Sequence, residues 1–221
     1  MTQVASGSTR HVSIPDSQRG PAAQIQPSLH PSLQQHDPNE QNTALWITGL
    51  PPTVTPRELL AQIRGAGKVF SLAILPVRYD RHGNVHARTA AASLAFFSPD
   101  GARALIQQQQ NQRPLVVGGR MASVRYNNRR GDPCHDEGSR VLIIKGDPQI
   151  VRYGFLKVFF ATREILYETD RRYYSAVDGE SRIEWRFASY LGQARRAYDH
   201  LKRTYADRVS VEYGRDPCEA A

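Results

Sequence analysis

Cysteine is nearly absent from this chain, which has only Cys134 and Cys218 among its 221 residues. Two thiols are too few for a disulfide framework or for a zinc site held by four cysteines, so we expect two reduced thiols. The sequence also lacks an apolar run of roughly 18 residues, the length that a membrane span needs, and its first residues do not have the pattern of a signal peptide. We therefore expect a soluble intracellular protein, nuclear, cytoplasmic or both, that has no contact with a membrane.

The sequence motifs of common enzymes are missing as well. There is no glycine-rich phosphate loop, no His-Glu-x-x-His sequence, no nucleophile elbow and no cysteine pair at metal-binding spacing. Four of the seven histidines, His82, His86, His135 and His200, are scattered over predicted loops, a linker and a helix, where we expect solvated side chains. We predict that the chain is not an enzyme and that it has no metal, no cofactor and no small-molecule substrate.

Acidic residues are scarce in one segment of the chain. Residues 43–130 contain twelve Lys or Arg and three acidic residues, a net charge of +9, whereas residues 1–42 carry −1 and residues 131–221 are neutral. The whole positive excess therefore belongs to a single segment. Such an excess is typical of a surface that binds polyanions, although an arginine-rich surface can also be merely well solvated.

Aliphatic residues are few at the N-terminus. Residues 1–42 are rich in Gln, Ser, Pro and His, and they offer too little apolar surface to offset the entropy lost on folding. We predict a disordered tail there. The rest of the chain has the length of one medium or two small domains.

The first folded element is predicted at residues 45–50, Leu-Trp-Ile-Thr-Gly-Leu. Alternation places Leu45 and Ile47 on one face of a strand and Trp46 and Thr48 on the other. A helix follows at residues 55–58, because Thr-Pro-Arg-Glu is a capping box with proline at the first helical position.

This hexapeptide resembles the first-strand motif of the RNA recognition motif (RRM) family. In that family the aromatic residue at the second position, here Trp46, lies on an open sheet and stacks on a base. Residues 89–96 fall where the family has its octapeptide, and their alternate residues match its inward positions. Ala91 and Ser93 stand where the family has two further stacking rings, so the resemblance implies that one stacking ring of three remains.

The pattern of the first domain recurs later in the chain. Residues 142–146 align without gaps on residues 45–49, and the same offset of 97 aligns Leu59 with Leu156. We predict a second domain of the same fold, in which Trp185 points into the core.

The predicted fold class is α+β, with two tandem ferredoxin-like β-α-β-β-α-β sandwiches of the RRM type after a disordered N-terminal tail. Composition and pattern place the tail at residues 1–42, the first domain at 43–130 and a linker at 131–138. The second, degenerate domain is placed at 139–214 and a C-terminal tail at 215–221.

The resemblance implies binding of single-stranded RNA by the open sheet of the first domain, where Trp46 would stack on a base and basic side chains would contact phosphates. The face of the second sheet is expected to carry no aromatic residue and no net charge, which suits a protein-contact or structural module. The alternative for the whole chain is a protein–protein interaction module that does not bind RNA. The predicted RNA-binding residues are Trp46, Thr48, Arg78, Arg88, Ala91, Ser93, Arg125, Asn127, Arg129 and Arg130.

Overall fold

A computed structural model describes residues 37–77, 88–111, 113–177 and 179–219. These residues all belong to one compact unit. The prediction of a disordered tail falls mainly on residues 1–36, which lie outside the described residues, as does the loop 78–87 with Arg78. Within the described ranges, no helix is long and apolar enough to cross a membrane.

The first domain consists of one antiparallel sheet and two helices. Across the sheet the strand order is β2-β3-β1-β5-β4. The elements are β1 (Ala44–Leu50), α1 (Pro56–Leu60), β2 (Val69–Leu75), β3 (Ala90–Phe96), α2 (Pro99–Gln110), β4 (Leu115–Val117) and β5 (Arg120–Tyr126).

The short edge strand β4 was not predicted from the sequence. It pairs with β5 through a two-residue turn in which Gly118 and Gly119 have φ angles of 54° and 73°. Positive φ at both central residues is what the favoured hairpin turn requires, and glycine adopts it without steric cost. The other four strands have the predicted order along the chain.

Both helices of this domain begin with a proline, and α1 begins where the capping box predicts. At α1, the Oγ1 atom of Thr55 accepts the Glu58 N–H at 3.3 Å, and Oε2 of Glu58 accepts the Thr55 N–H at 2.9 Å, which confirms the capping box. Ser98 precedes α2, but its side chain makes no capping hydrogen bond, and the helix starts with Pro99 at its first position.

The second domain repeats this arrangement. Its strand order, β7-β8-β6-β9, matches β2-β3-β1-β5 of the first domain and confirms the prediction of two tandem RRM-type sandwiches. The elements are β6 (Val141–Gly146), α3 (Tyr153–Thr162), β7 (Thr169–Val177), β8 (Glu180–Phe187), α4 (Arg195–Thr204) and β9 (Val209–Tyr213).

Burial confirms the alignment of the two copies. Leu45 and its counterpart Leu142 are fully buried, and so are Leu59 and Leu156. The same sequence positions therefore form the core of each domain.

Trp185 lies in the core of the second domain, as predicted, and is fully buried. Its ring stacks on Phe187 with centroids 5.6 Å apart and meets the edge of Phe160 at 5.3 Å. Its Nε1–H donates to Oγ1 of Thr169 at 3.2 Å. The tryptophan thus has apolar neighbours and a partner for its one polar group, as a buried indole requires.

The last helix starts later than its apolar pattern predicts. That pattern begins at Tyr190, but Tyr190–Ala194 is an irregular turn in which Gly192 has a φ of 73°, and α4 begins only at Arg195. A left-handed residue interrupts regular helical hydrogen bonding, so Tyr190 lies in the turn before the helix.

Residues 37–42, which composition assigns to the tail, form a turn that packs on the first domain. The amide of Asn42 is buried, and its Oδ1 accepts the N–H groups of Ala44 and Gly131 at 3.0 and 3.1 Å. Its Nδ2 donates to the carbonyl of Asn127 at 3.2 Å. The packed part of the chain therefore includes residues before the predicted boundary at 43.

The outer edge of β2 is closed by the second domain. The N–H of Leu72 donates to Oγ of Ser189 at 2.8 Å, and this hydroxyl donates to the Leu72 carbonyl at 3.1 Å. Phe70 and Phe97 contact the ring of Tyr190, with centroids 6.1 and 5.0 Å away. An open strand edge invites pairing with other chains, and here side chains of the neighbouring domain satisfy it.

The C-terminal segment 216–218 also binds the first domain. Oδ2 of Asp216 accepts the N–H of Val69 at 2.8 Å, and the carbonyl of Cys218 accepts the N–H groups of Ala66 and Gly67 at 2.9 Å. Burial raises the pKa of the Cys218 thiol to about 12, which keeps it protonated. The predicted tail 215–221 thus contains a packed segment that joins the two domains.

A buried guanidinium connects this segment to the second domain. Arg140 is 1% exposed, and its Nε donates to Oδ1 of Asp216 at 3.0 Å while Nη1 donates to Asp170 at 2.9 Å. Burial disfavours the charged guanidinium, but the carboxylates of Asp216 and Asp170 outweigh this cost and raise the pKa of Arg140. The arginine therefore remains charged and is neutralised by its carboxylate partners.

Candidate nucleic-acid interface

Trp46 lies on the face of the first sheet that the helices leave uncovered. It is directly opposite Ser93 on β3 and Arg125 on β5, and Ser93 is directly opposite Ala73 on β2. Side chains of directly opposed residues lie on the same face of a sheet. Ala73, Ser93, Trp46 and Arg125 therefore form one row across it.

The next row consists of small and medium side chains. Thr48 is opposite Ser123, and Ala91 is opposite Leu75. Within the described residues, no second aromatic ring is paired with Trp46. Trp46 is half-buried, and its directly opposite neighbours are Ser93 and Arg125, so a planar group can reach the indole from the solvent.

Asn127, one of the predicted RNA-binding residues, forms hydrogen bonds with the protein through all of its polar groups. Its N–H donates to Ala44 at 2.9 Å, and its carbonyl accepts from Asn42. Its Nδ2 donates to Oγ of Ser93 at 3.3 Å, and its Oδ1 accepts the N–H of Arg129 at 3.1 Å. All four polar groups have partners inside the protein, so the geometry favours a positioning role for this side chain.

The chain after β5 covers one end of the sheet face. The N–H of Thr43 donates to the Gly131 carbonyl at 3.1 Å, and a Cβ on Gly131 would lie 2.4 Å from Oγ1 of Thr43. Ala44 and Ala95, which are directly opposite each other on the same face, are buried. At this end the exposed platform therefore begins at the row of Trp46, which the row of Thr48 follows.

Positive charge surrounds this platform. Arg125 lies on it, and because β3 and β5 both run antiparallel to β1, Arg88 and Arg129 lie at opposite ends of the sheet. Arg130 follows Arg129, and all four side chains are exposed. Among the described residues, no carboxylate forms an ion pair with any of them. The field at the platform is positive, as a phosphate-binding surface requires.

The open face of the second sheet carries an aromatic residue that the sequence analysis missed. Tyr173 on β7 is opposite Glu184, is 44% exposed, and has the Arg186 guanidinium 4.9 Å from its ring centre. The prediction of a face without aromatic residues was wrong, because β7 was not located from the sequence. The available signal was the run Arg171-Arg172-Tyr173-Tyr174, two basic residues followed by two aromatic ones.

Charges in the middle of the second sheet are largely paired. Glu184 binds Arg186 at 2.7 Å and approaches Arg182 at 3.7 Å, and Lys145 lies 3.9 Å from Glu212. These five side chains, three basic and two acidic, nevertheless sum to +1, and Arg171 lies directly opposite Arg186 on the same face. The prediction of a face without net charge was therefore wrong, because it did not count the charges beyond Arg182. In the described part of the chain, no three His, Cys, Asp or Glu side chains are grouped so that they could hold a metal ion.

Comparison with known proteins finds neither a matching family model nor a similar curated protein. Among solved structures, RNA recognition domains 1 and 2 of Sex-lethal from Drosophila melanogaster are 18% identical over 78% of this chain and all of theirs, with a TM-score of 0.28. The first two RRM domains of the yeast poly(U)-binding protein Pub1 are 11% identical over 78% of this chain and 99% of theirs, at 0.31. RRM domains 1 and 2 of Prp24 from S. cerevisiae are 12% identical over 79% and 97%, at 0.30. A likeness of this size assigns no role to any residue.

Proposed function

We propose that the chain binds nucleic acid, specifically single-stranded RNA, through the platform of the first domain. The observation that carries this proposal is the row in which Trp46 has Arg125 beside it, with no carboxylate paired to that arginine among the described residues. An aromatic face can stack on any base, and an unpaired arginine can bind the adjacent phosphate. Because only one ring is available, we expect binding that tolerates many sequences.

In this proposal the second domain stabilises the structure of the first. It closes the free edge of β2 through Ser189, and the C-terminal segment that follows it holds Val69 through Asp216. A fragment limited to residues 43–130 would lose these partners, so the full chain is the appropriate material for binding experiments. RNA binding also fits the expected location in the nucleus, the cytoplasm or both.

Replacing Trp46 with alanine is expected to weaken binding of a short single-stranded RNA by about 1–3 kcal/mol, a loss of about fivefold or more, because one base loses its stacking partner. The measurement is fluorescence anisotropy with labelled RNA and the full chain at low salt. Trp46→Phe keeps an aromatic face and should retain most of the affinity. Equal affinity of the Ala and Phe variants with the unchanged protein would contradict base stacking at this site.

Arg125→Ala is expected to weaken binding of all RNA sequences alike, because the side chain would contact a phosphate. Each lost contact to single-stranded RNA should lower the slope of log affinity against log salt by about 0.7. The slope is obtained by repeating the titration at several salt concentrations. A protein-interaction module held by apolar contacts would show little dependence on salt, and that result would favour the alternative function.

A further inference from the structure

A groove runs between the first domain and strand β7 of the second. One part has a volume of about 460 Å³ and is lined by Thr55 and Arg57 from the start of α1 and by Arg171, Arg172 and Tyr173 from β7. The adjoining part, about 240 Å³, shares Asp170 and Arg171 with the first and extends to Arg64 and Arg186. We call the two parts together the interdomain groove.

The interdomain groove lies apart from the platform of the first sheet. Its wall on the first domain belongs to α1, whose Leu59 and Leu60 pack in the core with Leu45 and Ile47. Trp46 points to the opposite side of β1 from those core residues. A ligand in the groove would therefore contact different residues from a ligand on the platform.

Arginines give the interdomain groove an excess of positive charge. Arg57, Arg64, Arg171 and Arg172 have no carboxylate partner among the described residues. The lining carboxylate, Asp170, is 7% exposed and is already bound to Arg140. Arg172 is stacked over the ring of Tyr153, 3.4 Å from its centre. The other three guanidinium groups outweigh the net charge of −1 on Arg140, Asp170 and Asp216.

An exposed ring accompanies these charges. Tyr173 lines the first part of the groove, and Arg171, two residues earlier on β7, lies on the same face of the strand. Single-stranded nucleic acid offers both groups that such a surface can bind, since its phosphates match the guanidinium fork and its bases stack on a tyrosine. An acidic peptide matches the arginines but has no base to place on the ring.

We propose that the interdomain groove is a second binding site for single-stranded RNA, in which Arg57, Arg64 and Arg171 bind phosphates and Tyr173 stacks on a base. This inference rests on the proposed function, since it assigns a further part of the same ligand to a different surface. It also gives β7 a role in binding that the sequence analysis did not assign to the second domain.

The test uses the full chain and a labelled single-stranded RNA of about 16 nucleotides, the upper end of the site size of one binding module. The groove pair, Arg57→Gln with Arg171→Gln, should bind about tenfold more weakly and have a salt slope lower by about 1.4, because two phosphate contacts are lost. Tyr173→Leu should bind about fivefold more weakly or worse at an unchanged slope. The matched control is Lys157→Gln with Arg203→Gln, which removes the same charge from exposed helix positions outside both surfaces.

Each outcome decides between the two surfaces. If the groove pair and the control pair bind equally, the inference is overturned, while loss of binding in Trp46→Ala would still support the platform. If the groove variants weaken binding and Trp46→Ala does not, the groove is the RNA site and the platform proposal fails. Absence of RNA binding at low salt overturns both proposals. Poly(glutamate) is the probe for an acidic peptide. If it binds the full chain, and if the groove pair weakens that binding but not the binding of RNA, the occupant is an acidic peptide and the inference is overturned.

Discussion

Replacing Asp216 with alanine is expected to lower the free energy of unfolding by about 3–5 kcal/mol, the usual cost of leaving one member of a buried ion pair without its partner. Arg140 and Asp216 are both essentially inaccessible to solvent, so water cannot replace the lost carboxylate. Asp170 remains near Arg140 but occupies a different nitrogen of the guanidinium. The same substitution also leaves the N–H of Val69 without its acceptor. Urea unfolding of the full chain measures the effect.

The control for this substitution is Asp100→Ala. Asp100 also forms an ion pair with an arginine, Arg103, but its side chain is 82% exposed. Exposed pairs contribute at most about 1 kcal/mol, because solvent screens them and the side chains lose entropy when they pair. Equal effects of the two substitutions would show that the pair formed by Arg140 and Asp216 is open to solvent and does not join the domains.

Features determined by neighbouring residues were predictable from the sequence. The capping box at Thr55 needs only residues three positions apart, and the inward position of Trp185 follows from alternation along a single strand. The tandem fold was predictable because a gapless alignment places the same apolar positions in both copies. Each of these inferences depends on a pattern of nearby residues, and the tertiary contacts in the structure agree with that pattern.

Contacts between distant residues were not predictable. Arg140 and Asp216 are 76 positions apart, and nothing in the local pattern of either indicates an ion pair. The sequence Asp-Pro-Cys occurs at residues 132–134 and again at 216–218, and nothing in it indicates that the second copy binds the first domain, as the structure shows. Alternation alone cannot show this, because it reports which face of an element is buried and not which element covers it.

In the candidate site, too, the face on which a residue lies was predictable from the sequence, whereas its contacts with distant residues were not. Alternation placed Trp46, Ser93 and Arg125 on one face, and the strand register brings them into one row. Asn127 stays a prediction as an RNA contact, and its hydrogen bonds within the protein also hold the chain that crosses the sheet. Tyr173 was missed because β7 is an exposed edge strand, and its sequence lacks the alternation between apolar and polar residues that identifies half-buried strands.

Replacing Trp185 with alanine is expected to cost about 3–5 kcal/mol of unfolding free energy, because a large buried ring leaves a cavity that its neighbours cannot fill. The ring contacts Phe160 and Phe187, and both are fully buried. Far-ultraviolet circular dichroism in urea measures the loss. Tyr173→Leu, a change in an exposed ring of the same sheet, should shift stability by about 0.5 kcal/mol or less.

The remaining tryptophan makes this experiment more informative. In the Trp185→Ala variant, fluorescence comes from Trp46 in the first domain, whereas circular dichroism reports on both domains. Since Ser189 of the second domain and Asp216 of the C-terminal segment hold β2 of the first, we expect both signals to move to the same lower urea midpoint. A Trp46 transition that stays at its original midpoint while circular dichroism shifts would show that the domains unfold independently. The hydrogen bonds to β2 would then contribute little to the stability of the first domain, and its RNA-binding platform could be studied in isolation.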